Sequence, residues 1–213
     1  LTLDGGNADF IFHGRMLPIS LVRSVNATLK NFQIDFEIPH ITQIEIVENG
    51  DQGMIFRTAP WVKAKVGENT HFESYGEGWR NYPQTGIAFD GKTKHVVYKT
   101  SDLWCPTNDT KQIDENTFHA PHWKDDRLVP GTVVAMRTYE RPAPGIFMTE
   151  CKDTRLENIS IHYAEGMGLL AQVSENITLE KFNVCLRGED DSRYFTTQAD
   201  ATHFSGCKGK IAS

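Results

Sequence analysis

The sequence predicts an all-β protein, in which a parallel β-solenoid is interrupted by an insertion of antiparallel strands. Three observations lead to this fold class. An eight-residue strand pattern occurs three times, the sequence changes character between residues 37 and 145, and no long amphipathic helix can be found.

The repeated pattern marks stacked strands. It covers residues 29–36 (LKNFQIDF), 156–163 (LENISIHY) and 179–186 (LEKFNVCL). Each copy begins with Leu and has apolar residues three, five and seven positions later, which is the period-2 alternation of a strand with one buried face. The second and third copies are 23 residues apart, a length that suits one coil of a solenoid. A leucine-rich repeat has a similar length, but its closer leucine spacing is absent.

Four asparagines occupy N-x-S/T sequences, which in a eukaryotic secreted protein would indicate glycans: Asn26, Asn108, Asn158 and Asn176. A structural interpretation is favoured, because Asn26 and Asn176 both precede the leucine of a repeat by three residues. Asp153 occupies that register in the middle copy. Asn and Asp tolerate a left-handed backbone, so these positions predict the corners of the coils.

The inserted segment predicts a barrel or a sandwich. Short strand-like runs are separated by turn residues, and they cover residues 41–49, 53–60, 95–100 and 131–140. All four tryptophans lie in this segment, and we expect at least two to pack in its core, while the others are candidates for stacking on a sugar ring. The predicted domain order is solenoid (1–38), insertion (39–145) and continued solenoid (146–213).

Composition limits the classes of partner. The formal net charge is -6, and Lys and Arg are scattered, which argues against binding to nucleic acid. No apolar stretch is long enough to span a bilayer. The four cysteines show no zinc-site spacing and do not by themselves establish disulfides. His119 and His122 are weak metal candidates, because Pro121 prevents the helix that usually pairs two histidines.

The charged connection at residues 186–207 is the main candidate for chemistry. It contains three consecutive acids at 189–191, flanked by Arg187 and Arg193, and it is longer than a solenoid corner requires. A solvated turn, with the arginines paired to the acids, is the alternative. Hydrolysis of a glycosidic bond needs two carboxyl groups, and Asp200 is a candidate for one of them.

A second candidate carboxylate precedes this connection by one coil. Glu165 lies beside Gly166 and Gly168, which would let a ligand approach the backbone. A buried or ion-paired glutamate is the competing interpretation, and the sequence leaves both open.

Several segments resemble a known family of enzymes. LDGGNADFIFHGRMLPISLV, PHITQIEIVENG, RLVPGTVVAMR, RPAPGIFMTE, HYAEGMGLLAQ and CLRGEDDSRYFTTQADATHFSGCKGKI are similar to the bacterial exo-acting α-1,3-galactosidases of glycoside hydrolase family 110. The resemblance implies a right-handed parallel β-helix with a small inserted antiparallel β-barrel. It also implies inverting, metal-independent removal of terminal galactose from glycans of the blood-group-B type, by a bacterial protein that is secreted or periplasmic.

The resemblance gives Asp200 the role of a catalytic aspartate that positions and activates water. The family's other two catalytic aspartates form an adjacent pair about one coil later, so we expect the general acid beyond Ser213 and the chain to be part of a longer enzyme. Six further residues are predicted to bind galactose: Glu165, Arg187, Asp190, Asp191, Gln198 and His203. We expect terminal α-galactosyl glycans as partners and no cofactor; homo-oligomerisation is left open. The rival functions are a polysaccharide lyase and a non-catalytic glycan-binding protein.

Overall fold

The fold is all-β, as the sequence predicts. A computed structural model describes residues 1–141, 143–189 and 191–212, and in these ranges the regular structure consists of strands without a helix. The chain divides into two compact units, Leu1–Pro39 with Arg141–Asp191 and Phe195–Ser213 (unit 1), and His40–Glu140 with Ser192–Tyr194 (unit 2). The domain order predicted from the sequence, 1–38, 39–145 and 146–213, stays a prediction.

Unit 1 contains two parallel sheets, whose strands alternate along the chain. Sheet A has the order β1 (Thr2–Phe12), β3 (Thr28–Phe36), β15 (Lys152–Ile161), β17 (Glu175–Val184) and β19 (Lys208–Ala212). Sheet B has the order β18 (Thr202–Ser205), β16 (Leu169–Gln172), β14 (Ile146–Thr149) and β2 (Ile19–Val22). Each pass of the chain therefore adds one strand to sheet B and the next strand to sheet A.

The three repeated windows pair in register in sheet A, which confirms that they form stacked strands. Leu156 of β15 lies beside Leu29 of β3 on one side and Leu179 of β17 on the other. All three side chains are buried in one apolar cluster of unit 1. Equivalent positions thus stack on one another, so one sequence pattern provides the core of successive strands.

The left-handed backbone predicted at Asn26, Asp153 and Asn176 is also confirmed, although Asp153 and Asn176 are the second residues of β15 and β17. Asn26, Asp153 and Asn176 have φ angles of 54°, 54° and 56°, in the left-handed region that Asn and Asp tolerate better than most residues. The Asn176 amide donates a 2.9 Å hydrogen bond to the Asp153 carboxylate. Asp153 and Asn176 therefore combine a left-handed backbone with a hydrogen bond between neighbouring strands.

Unit 2 is antiparallel. Its larger sheet has the order β10 (Leu103–Trp104), β9 (Thr85–Asp90), β13 (Thr132–Arg137), β4 (Thr42–Gly50), β5 (Gly53–Thr58), β12 (Thr117–Ala120) and β11 (Lys111–Gln112). Its smaller sheet is formed by β6 (Ala64–Val66), β7 (Phe72–Gly76) and β8 (Trp79–Asn81). Phe56, Phe72, Phe118 and Trp123 form the aromatic centre of the core. Trp79 is also buried, so the expectation that at least two tryptophans pack in a core is confirmed.

One predicted strand is wrong. Residues 95–100 (HVVYKT) form turns, with a single bridge from Val96 to Phe89. Lys94, just before the run, and Lys99, its fifth residue, both have a φ of 58°, and Tyr98 is exposed. The β-branched residues alone suggested a strand, but left-handed backbone at these two positions prevents an extended ladder.

Candidate functional site

Asp200 lies in the turn that leads into β18, and its side chain is 61% exposed. The carboxylate oxygen Oδ2 lies 2.8 Å from Nδ1 of His203, the second residue of β18. The exposed carboxylate can therefore meet a solute or a water molecule while the imidazole holds its orientation.

The backbone around Asp200 is fixed by the neighbouring strand of sheet B. The amide of Gly168 donates to the Asp200 carbonyl at 3.0 Å, and the amide of Leu169 donates to the Ala201 carbonyl at 3.0 Å. The Thr197 hydroxyl donates to the Ala199 carbonyl at 2.8 Å. A rigid strand thus positions a side chain that remains open to solvent.

An apolar row lies next to His203 on the outer face of sheet B. Parallel register places Leu170 beside His203 and Phe147 beside Leu170. Both apolar side chains are partly exposed, whereas Ile146 and Leu169, their chain neighbours, are fully buried. The sequence prediction missed this row, because three consecutive apolar residues in IFMT and LLAQ hide the alternation that is seen only in the burial of the side chains.

A polar row borders the apolar row, two residues further along each strand. Register places Gln172 between Thr149 and Ser205, and all three side chains share the outer face with the apolar row. An apolar strip beside hydroxyl and amide groups matches the two kinds of surface on a pyranose ring.

Glu165 is buried, with 2% of its side chain exposed, and its Oε1 lies 2.6 Å from an Arg15 guanidinium nitrogen. This is the ion-paired arrangement that the sequence left open, and a role in galactose binding stays a prediction. The glycines beside it allow close packing within the protein. A Cβ at Gly168 would lie 2.5 Å from the Ala201 carbonyl oxygen, and one at Gly166 would lie 3.0 Å from the Ala143 carbonyl oxygen.

The guanidinium of Arg187 binds carboxylates on other strands, at 2.7 Å from Asp35 and 3.1 Å from Asp9. Partial burial alone would lower the Arg187 pKa, but the interactions with Asp35 and then Asp9 outweigh burial and raise this pKa above its ordinary value. Within the connection, the backbone amide of Arg187 donates to Asp191 at 3.0 Å. The predicted pairing of Arg187 with its own loop is thus made by the backbone, whereas the side chain binds carboxylates on two strands, β3 and β1.

Gln198 is the most suggestive of the remaining predicted residues. Its side chain is 8% exposed, and in the described part of the chain neither its amide nitrogen nor its amide oxygen has a hydrogen-bond partner. Leaving a buried amide unpaired is unfavourable, so these atoms suit a ligand or an ordered water. Asp190 lies outside the described residues.

Three residues of the charged connection belong to unit 2. Gln43 forms two hydrogen bonds with them. Its amide nitrogen donates to the Ser192 carbonyl at 2.9 Å, and its amide oxygen accepts from the Tyr194 backbone amide at 3.1 Å. The Tyr194 hydroxyl donates to the Gly91 carbonyl at 2.8 Å, and its ring packs on Phe89. No sequence pattern predicts these contacts of Gln43 and Tyr194.

His119 and His122 have separate partners. His119 Nε2 lies 2.7 Å from the Gln52 carbonyl oxygen, and His122 Nε2 lies 3.1 Å from an Asp109 carboxylate oxygen. Within residues 1–141, 143–189 and 191–212, His, Cys, Asp and Glu side chains form no cluster of three or more that could hold a metal ion. The four cysteines are free thiols. A search of the described residues for an apolar helix of membrane-spanning length finds none.

The described residues form an all-β protein with a parallel and an antiparallel unit, and comparison with known proteins is specific about the antiparallel unit. Residues 42–134 match the family model "GLAA-B beta-barrel domain I", so the insertion contains a β-barrel domain of this type.

The relatives extend the similarity to the whole chain. Alpha-1,3-galactosidase B of Phocaeicola vulgatus is 65% identical over 213 residues, which are 100% of this chain and 35% of the relative. Alpha-1,3-galactosidase B of Bacteroides fragilis is 59% identical over 100% of this chain and 36% of the relative. Alpha-1,3-galactosidase A of the same species is 29% identical over 99% of this chain and 34% of the relative.

The predicted resemblance to bacterial α-1,3-galactosidases is therefore confirmed, and it is consistent with glycoside hydrolase family 110. The chain spans 35% of the length of the first of these curated relatives.

Proposed function

We propose that the chain is part of a glycoside hydrolase that removes terminal α-1,3-linked galactose from glycans, including those of the blood-group-B type. The observation that carries this proposal is the 65% identity to an α-1,3-galactosidase B along the whole chain, including the segment that contains Asp200. We further propose a bacterial protein that is secreted or periplasmic. Galactosyl glycans are its partners.

The proposed scaffold is a right-handed parallel β-helix interrupted by the β-barrel. Alternation of strands between sheets A and B and the in-register stacking of Leu29, Leu156 and Leu179 support this architecture. The outer face of sheet B would then be a continuous surface leading to Asp200.

In the proposed reaction, Asp200 accepts a proton from water while the water oxygen attacks the anomeric carbon of galactose. The bond from that carbon to the glycosidic oxygen breaks, and a carboxylic acid outside residues 1–213 protonates the leaving oxygen. Attack from the face opposite the leaving group inverts the anomeric configuration, for which two carboxyl groups about 6.5 to 9.5 Å apart are suitable. We propose that no metal ion takes part.

We propose that the apolar face of the sugar packs on Leu170 and Phe147, beside the Asp200 and His203 pair. The partial exposure of these two side chains and their register with His203 support this placement. Of the residues predicted from the sequence, we propose that Glu165, Asp190, Asp191, Gln198 and His203 bind the sugar hydroxyls at this site, whereas Arg187 lines a different pocket. Among them, the unpaired buried amide of Gln198 has the strongest structural support.

The test is Asp200→Asn in the full-length protein. We expect at least about a 100-fold loss of kcat on an α-1,3-galactosyl disaccharide, with an unchanged circular dichroism spectrum, because the amide cannot accept the proton from water. Asp153→Asn is the matched control, since Asn occupies the equivalent corner in the other repeats, and it should retain wild-type turnover.

The product separates this proposal from its rivals. Proton magnetic resonance should detect β-galactose as the first product, as inversion requires. Wild-type turnover by Asp200→Asn would contradict the catalytic assignment. An unsaturated sugar product that disappears on chelation would identify a lyase, and glycan binding without any hydrolysis would identify a binding protein.

A further inference from the structure

A polar pocket of about 320 Å³ lies on the outer face of sheet A, and neither Asp200 nor His203 lines it. Its floor is formed by Gln33 of β3, Ser160 of β15 and His162, which follows β15. The volume is at the lower end of the range of roughly 300 to 1,000 Å³ that small-molecule sites occupy.

The floor is held rigidly. His162 is buried, its Nδ1 donates to the Cys185 carbonyl at 2.8 Å, and its Nε2 lies 2.6 Å from the Gln33 side-chain oxygen. Since contacts at both ring nitrogens fix the imidazole, the pocket is formed before any ligand arrives.

Two polar structures close the ends of the pocket. At one end, the Asn158 amide donates to the side-chain oxygens of Asn31 at 3.0 Å and Asn7 at 3.3 Å, which forms a ladder across three strands. At the other end, Arg187 reaches from the connection after β17 to Asp35 on β3 and Asp9 on β1. The guanidinium thus forms one end wall of the pocket.

Hydrogen-bonding groups remain available along the pocket. Within the described ranges, hydrogen-bond partners are lacking for the Ser160 hydroxyl and Nη2 of Arg187, and both residues line the pocket. The two carboxylates beside Arg187 more than offset its positive charge, so an anionic ligand would be repelled. A neutral ligand rich in hydroxyl groups fits both properties.

We propose that this pocket is a second saccharide-binding site, which takes one neutral pyranoside ring apart from the site at Asp200. It rests on the proposed function only in the choice of a galactoside as the probe. Such a site would keep the protein on a glycan between cleavage events, because two weak contacts raise the effective concentration of the second.

The test counts bound ligand by equilibrium dialysis of radiolabelled methyl α-galactoside against full-length Asp200→Asn protein. We expect two equivalents to bind. Adding Ser160→Trp should leave one equivalent, because the indole fills the floor from a solvent-facing strand position. Asn183→Trp is the matched control, since Asn183 lies beside Ser160 on β17 but outside the pocket, and two equivalents should still bind.

The outcomes separate the two proposals. If Ser160→Trp protein with a native circular dichroism spectrum still binds two equivalents, the pocket proposal is overturned. Suppose instead that Asp200→Asn protein binds a single equivalent. If Ser160→Trp abolishes this binding, the pocket is supported and galactose binding at Asp200 is contradicted. If the equivalent still binds to Ser160→Trp protein, galactose binding at Asp200 is supported and the pocket is contradicted. Ser160→Ala provides the answer if the larger substitution prevents folding, with an expected loss of about 5-fold in affinity for one class of site.

Discussion

The hydrophobic cores of the two units are organised differently. In unit 1 the same residue type recurs at one level of successive parallel strands, as with Leu29, Leu156 and Leu179. In unit 2 the centre is a cluster of different aromatic side chains from separate antiparallel strands, and the Phe72 and Phe118 ring centroids lie 4.9 Å apart. A stacked core is a series of similar layers, whereas an aromatic cluster has one centre on which several strands depend.

The difference predicts where a cavity is most damaging. Phe118→Ala removes a fully buried ring from the centre of unit 2, and we expect a loss of about 4 kcal/mol in the free energy of unfolding. Leu156→Ala removes a fully buried side chain from the middle of the sheet A stack, for which about 3 kcal/mol is expected. The measurement is hydrogen exchange followed by mass spectrometry on the full-length protein, which resolves the change by peptide.

The pattern of exchange sharpens the comparison. Phe118→Ala should increase exchange in the peptides of β5, β7 and β12 together, while Leu156→Ala should increase it mainly in β3 and β17, the two neighbours of β15. If both variants loosen the same peptides throughout the chain, the two cores do not act as separate units of stability.

The contrast between the cores also explains what the sequence could predict of the fold. Stacking forces equivalent positions to share a residue type, so the repeats and the corners at Asn26 and Asn176 were visible as periodicity. The antiparallel unit has no such repeat, and its strands had to be judged from local composition. That criterion succeeded for β4 and failed for residues 95–100, where the backbone at Lys94 and Lys99 decides the outcome.

The site was predictable to a smaller extent. A sequence motif indicated Asp200. Whether Glu165 is ion-paired, however, depends on Arg15, which is 150 residues earlier in the chain. Phe147 and Leu170 were missed because apolar residues on a strand are usually assigned to the core. Only the register of sheet B brings them beside His203.

A smaller change in the free energy of unfolding is expected at the left-handed Asn and Asp residues of unit 1. Asn176→Ala should lower the free energy of unfolding by about 1 kcal/mol more than Asn176→Gly does, because both lose the side-chain hydrogen bond but only Ala meets the left-handed penalty. Denaturant unfolding of the two variants of the full-length protein measures this difference. Equal stabilities would show that the corner does not depend on its φ angle.

The smallest effect is expected at Tyr194, within unit 2. Tyr194→Phe removes the hydrogen bond to the Gly91 carbonyl, for which we expect a loss of about 0.5 kcal/mol near neutral pH. Burial, and then the charges of Glu45 and Asp90, raise the pKa of Tyr194. A raised phenol pKa favours the folded state below the unfolded value of about 10, and this contribution is lost as the pH rises through the folded value.

The difference in stability between the wild-type protein and Tyr194→Phe should therefore shrink as the pH rises above about 10. Denaturant midpoints of both full-length proteins at neutral and alkaline pH provide the comparison. Tyr98→Phe is the matched control, because Tyr98 is 80% exposed in the same unit and its substitution should change neither midpoint. A constant difference between wild type and Tyr194→Phe at every pH would contradict the coupling between ionisation of the Tyr194 phenol and folding.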